Sequence, residues 1–132
     1  MRRPTTEPFL VLEVTGQPAS YSTAATSPWQ KAIRHKIIES GATPRVTRFG
    51  VRIAFRTRVP ANANEVWDLD NLVKPTLDAM DGVFGKRPIK GRPQAADDRV
   101  DYLEASKRTV LDGESPGARI EVYDLGSDAA AL

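Results

Sequence analysis

The stretch that carries chemistry runs over residues 67–82 and reads WDLDNLVKPTLDAMDG. Asp68 and Asp70 straddle Leu69, so at the end of an extended segment both carboxylates point the same way. A helix then follows, capped by Asp70 or Asn71, with Pro75 in its first turn, where a missing N–H costs little. At 100° per residue, Asp70, Lys74, Asp78 and Asp81 share one face beside an apolar arc of Leu72, Val73, Thr76, Leu77, Met80, Val83 and Phe84. A second acid pair, Asp97-Asp98, precedes another strand-like run.

Clustered carboxylates with all-oxygen chemistry suit Mg²⁺ or Mn²⁺, which keep waters that a phosphate can replace. Two such ions, or one ion and a nearby lysine, can activate water and stabilise charge building on a phosphodiester. In that reading Asp68, Asp70 and Asp98 are ligands, and Asp97 either shares the metal or orients its water. Lys74 either stabilises the pentacoordinate phosphate or helps move a proton. Asp78, one turn further on, pairs with Lys74 and positions it. The same acids have plainer uses: Asp-x-Asp also arises at helix caps and turns. Glycosyltransferases hold Mg²⁺ with such a pair, though in longer chains.

The elements that must position these residues are legible from periodicity. Residues 9–14 read as a first strand, and residues 17–27 as a small polar loop in which Ser20, Tyr21, Ser22 and Thr23 serve turn chemistry or phosphate equally well. Ser27 caps a helix with Pro28 first inside it and Gln30 completing a capping box; Trp29, Ala32, Ile33 and Ile37 form its apolar side and Gly41 ends it. His35, the only histidine, falls on the polar side as a solvated residue. Residues 48–59 alternate without a break: Phe49, Val51, Ile53, Phe55, Thr57 and Val59 face the core, while Arg48, Arg52, Arg56 and Arg58 line the other face. Four arginines without an acid among them repel one another, and a phosphate backbone relieves that repulsion. Residues 85–93 carry Lys86, Arg87, Lys90 and Arg92 with two glycines and two prolines, and read as an irregular basic loop. A strand over 100–110 and another over 118–123, joined by a short turn, predict an antiparallel hairpin.

The expected architecture is therefore α/β (α+β): a small mixed sheet of about four strands packed by two helices, in one domain with its core over residues 8–124 and a flexible tail at 125–132. The net charge of +2 conceals an asymmetry. Residues 1–64 hold ten Lys and Arg against three Glu, and residues 65–132 nine against fourteen acids. Such a division suits a polyanion on one surface and a metal at another. Cysteine is absent, which removes disulfides and thiolate chemistry. No apolar run is long enough to cross a membrane, and MRRPTTEPF has no signal-peptide core, so the expectation is a cytoplasmic protein with no membrane partner and no small-molecule cofactor.

Asp68-Leu69-Asp70-Asn71, Lys74, Asp78 and Gly82, followed by Asp97-Asp98 before a strand, resemble the RusA family of Holliday junction resolvases. The order of elements from Phe9 to Tyr123 is similar to that family as well. The resemblance implies a RusA-like nuclease fold and a homodimeric, Mg²⁺-dependent endodeoxyribonuclease that cuts four-way DNA junctions by paired nicks. It also implies Asp68, Asp70 and Asp98 as metal-binding acids and Lys74 as the essential lysine. Two features depart from the pattern: the basic loop around residues 86–92 is longer, and residues 17–26 lack the asparagines and basic residues of that place. The alternatives are a RusA-like nuclease acting on other branched or phage DNA, and a module that grips junctions without cutting them.

Overall fold

The computed structural model describes residues 7–89 and 91–127. Its elements run β1 (Leu10–Thr15), α1 (Thr26–Ser40), β2 (Arg48–Thr57), α2 (Leu69–Asp78), α3 (Asp81–Phe84), β3 (Lys86–Ile89), β4 (Arg92–Ala95), a 3₁₀ turn (Asp97–Arg99), β5 (Val100–Thr109) and β6 (Gly117–Gly126). The fold is mixed α+β, as expected. A four-stranded mixed sheet has the order β1-β6-β2-β5, and β3 and β4 form a second, two-stranded sheet.

The alternation of β2 decides which face is core. Phe49, Val51, Ile53 and Phe55 are buried, and their face packs against Trp29 and Ile33 of α1, Leu72 and Leu77 of α2 and Phe84 of α3. Rings pack at tilted angles through this layer, with Phe49 centred 5.0 Å from Phe84 and 6.5 Å separating Trp29 from Phe55. Strands β1 and β6 close so tightly that a Cβ on Gly117 would lie 2.1 Å from the Val14 carbonyl oxygen. Only glycine fits there.

Several expectations change. Strands β5 and β6 are not a hairpin: β2 lies between them, parallel to β5 and antiparallel to β6. The connection over residues 110–116 easily covers the roughly 10 Å that one intervening strand requires. Nor is the basic segment a loop. Strands β3 and β4 pair in register Lys86↔Ala95, Arg87↔Gln94, Pro88↔Pro93 and Ile89↔Arg92. Two prolines facing each other fit an antiparallel ladder at a pair that exchanges no hydrogen bonds, which is why they do not prevent it. Gly91 supplies the turn with φ of 78°. Lys90 lies outside the described residues.

The central helix is also shorter than its apolar arc suggests. It breaks at Ala79–Met80, and Asp81 opens the separate α3. Its start lies earlier, with Asp68 at the cap position, so Pro75 is inside the helix rather than in the first turn. Helix α1 begins at Thr26, and no side chain caps it. Strand β2 ends at Thr57, leaving Arg58 and an exposed Val59 beyond it. Strand β6 continues through Gly126 into the segment expected to be tail, and residues 128–132 lie outside the described residues. Among the described residues no helix is long and apolar enough to cross a membrane.

Within the fold the arginine stripe does not stand unopposed. Neighbouring strands supply acids in register: Arg52 lies opposite Glu104 of β5 and Glu121 of β6, with ion-pair distances of 2.6 and 3.6 Å. Arg48 pairs with Asp101, Nε to Oδ2 at 2.9 Å, and Arg56 reaches Glu13 of β1 at 3.6 Å. Arg58 pairs with Glu65 and stands over the Trp67 ring at 5.1 Å. Acids remote in sequence thus neutralise a row that looks unopposed along its own strand.

Candidate functional site

Asp68 has extended backbone angles, φ −77° and ψ 131°, and its carbonyl accepts the first helical hydrogen bonds, from Asn71 and Leu72. Its side chain does not cap the helix; Asn71 Nδ2 lies 3.5 Å from Asp68 Oδ2. Asp70 sits in the first turn, where the exposed N–H groups favour a carboxylate. Four residues on, Lys74 Nζ donates to Asp78 Oδ1 at 2.8 Å and to Asp97 Oδ2 at 2.6 Å. That second bond ties the two acid motifs together across 23 residues of chain.

The turn that presents Asp97 and Asp98 is held from several sides. Arg99 donates through Nη1 to the carbonyl oxygens of Phe84 and Arg45, at 2.5 and 3.3 Å. Ala96 N–H reaches the Gly85 carbonyl at 2.9 Å, and Arg48 Nη2 donates to the Asp98 carbonyl at 2.8 Å. The Asp98 carboxylate pairs with Arg87 Nε of β3 at 2.7 Å. Of the basic segment, Lys86 approaches Asp81 at 3.5 Å, and Arg92 is exposed at the start of β4.

Residues that read in the sequence as having other roles complete the cluster. The Tyr21 hydroxyl, 57 positions before Asp78, donates to Asp78 Oδ2, and Gln30 Nε2 lies 3.3 Å from that hydroxyl and 2.9 Å from the Pro75 carbonyl. Gln30 therefore joins α1 to α2 instead of completing a capping box. Beneath it, the buried Trp29 indole N–H donates to Thr76 Oγ1 at 3.0 Å, which in turn donates to the Leu72 carbonyl at 2.8 Å. Nothing in spacing points to Tyr21 or Thr76 as partners. Asp81 leaves the helix face predicted for it and meets Arg34 at 3.5 Å. His35 is exposed and pairs with Glu39 on its own helix, apart from the acids.

Burial pulls the Lys74 ammonium toward a lower pKa, but hydrogen bonds to Asp78 and Asp97 outweigh it and leave the pKa raised. Lys74 is held as a cation. Burial pushes the Tyr21 hydroxyl up, and the Asp78 carboxylate adds to that. Beside Asp70 and Lys74 an open hollow of about 530 Å³ is formed by Leu69 and Val73 of α2 with Leu103 and Ala105 of β5.

The donor set, exposed carboxylate oxygens with no sulfur or imidazole, matches the hard ligands Mg²⁺ and Mn²⁺ take. Its assembly is partial. Asp97 reaches the helix through Lys74, whereas Asp98 is turned to Arg87, and no three Asp, Glu or His side chains among the described residues come together to hold one ion. No protein-family model matches this chain, and no curated protein matches it either.

Proposed function

We propose that this protein is a divalent-metal-dependent endodeoxyribonuclease that cuts four-way DNA junctions by paired nicks as a homodimer. The observation that carries the proposal is the 2.6 Å ion pair between Asp97 of the second acid motif and Lys74, the residue one helical turn after Asp70. Asp68, Asp70 and Asp98 would hold the metal, with Asp97 sharing it or orienting water. The bound cation would supply a polarised phosphodiester and a water acidic enough to attack at neutral pH. Lys74, held positive between two carboxylates, is suited to stabilising charge on the phosphoryl oxygens rather than to taking a proton. Asp78 and Tyr21 fix where that ammonium points.

A second reading has one observation in its favour. Asp97 and Asp98 are already paired with Lys74 and Arg87, an arrangement that also suits a module binding branched DNA without cutting it. Labelled four-way junction, linear duplex and flap DNA, incubated with Mg²⁺ or with chelator, separate the two. Metal-dependent nicking of the junction, abolished in Asp70→Asn while junction binding stays intact or tightens, supports the nuclease. Binding that survives chelator with no cleavage in Mg²⁺ or Mn²⁺ supports the module.

A further inference from the structure

Strand β5 is a ten-residue edge whose outer side has no strand paired with it among the described residues. We propose that this edge is where two copies of the chain associate, pairing antiparallel across a two-fold axis at Ala105 into one eight-stranded sheet. The order of charges along β5 names the occupant. Its first half carries Asp101 and Glu104, and its second half Lys107 and Arg108. Antiparallel pairing with an identical strand sets acid against base, whereas parallel pairing sets like against like. With Ala105 opposite itself, Glu104 and the partner's Arg108 are diagonal neighbours on the open face, within reach of a guanidinium. Glu104 already pairs with Arg52 and accepts from the Tyr102 hydroxyl at 2.6 Å, and Arg108 pairs with Glu114; each carboxylate oxygen has a second lone pair and the guanidinium further N–H groups, so both accommodate a further partner.

The apolar surface along this edge fits the same occupant. Leu103 is 44% exposed and borders the hollow with Leu69 and Val73. In this register it faces the aliphatic stem of the partner's Lys107. A small residue at the axis lets the two backbones approach. The opposite edge, β1, has six residues and no such division of charge. Because α2 packs beside β5, the pairing also places both Lys74 clusters on one face of the joined sheet, related by the two-fold. The surface rests on the homodimer of the proposed function: loss of cleavage with the dimer intact leaves the surface standing, and dimers that form through another face remove the surface but leave the nuclease reading.

Sedimentation velocity on the full chain over a range of concentrations tests it. The wild type should dimerise. Glu104→Arg and Arg108→Glu should each raise the dimer dissociation constant about tenfold or more, since each contact occurs twice across the axis. The same-chain double variant, and an equimolar mixture of the two singles, should recover dimers. Since the chain has no cysteine, Ala105→Cys gives an independent readout: oxidation should yield a disulfide-linked dimer, while Val11→Cys on the far edge should not. A wild type that stays monomeric, single variants that dimerise like the wild type, or cross-linking through position 11 instead of 105 would overturn the proposal.

Discussion

Thr76→Val removes one oxygen and keeps the shape of the side chain, at the point where α1 and α2 are joined beneath the Lys74 cluster. Thr76 is 0% exposed and Trp29 1%, so water cannot replace the lost acceptor. The Leu72 carbonyl keeps its helical partner; the Trp29 indole N–H, 3.0 Å from Thr76 Oγ1, has none left. Leaving such a donor buried and unpaired costs about 1–3 kcal/mol. For a chain of this length about 2 kcal/mol corresponds to a fall in Tm of roughly 5–8 °C. Urea unfolding should show a lower midpoint with an unchanged slope. A double-mutant cycle with Trp29→Phe isolates the contact: Thr76→Val should cost about 1–2 kcal/mol less once the indole is gone. A loss below about 0.5 kcal/mol, or an equal loss in both backgrounds, would refute the reasoning.

Neutralising Lys86, Arg87 and Arg92 to Gln should reduce the slope of log binding constant against log salt by about 2–3, because each phosphate contact contributes roughly 0.9; an unchanged slope in fluorescence anisotropy removes the β3–β4 hairpin from the interface. Glu114, bonded by Arg108 and by the Leu111 N–H, has its pKa lowered from 4.5 to about 2. A depressed carboxylate stabilises the fold above its unfolded pKa and loses that contribution as pH falls through its folded one. Glu114→Gln should therefore be less stable than wild type at pH 7, with the difference shrinking between pH 4.5 and about 2. A difference constant through that range in thermal melts would contradict the pairing.

Local periodicity made the core face of β2 and the apolar side of α1 readable, because each is fixed by residues a few positions apart. Pairings between strands were not. The acids facing Arg52 come from β5 and β6, so a row that looks electrostatically frustrated along its own strand is satisfied across the sheet. The separation of β5 from β6 by β2 is likewise a long-range choice that turn length permits but does not dictate. At the candidate site, the helical spacing of Lys74 and Asp78 was legible as an i,i+4 pair, and their bond forms. Tyr21 and Gln30 read as loop and capping residues and carried no signal of their contact with α2, since a small polar loop and a helix start look the same whether or not their side chains reach another helix. The aspartates declared a chemistry by type, but not which cation each meets: Arg87 reaches Asp98 from a hairpin that its two prolines had argued against.

The most direct test is a supercoiled plasmid carrying an extruded cruciform, incubated with the wild-type chain and Mg²⁺. Two nicks made symmetrically within one binding event convert the circle to linear DNA without open circles accumulating, and chelator prevents it. Supercoiled plasmid that persists with Mg²⁺ and with Mn²⁺ while the protein is bound, or open circles as the end product, would contradict paired junction cleavage.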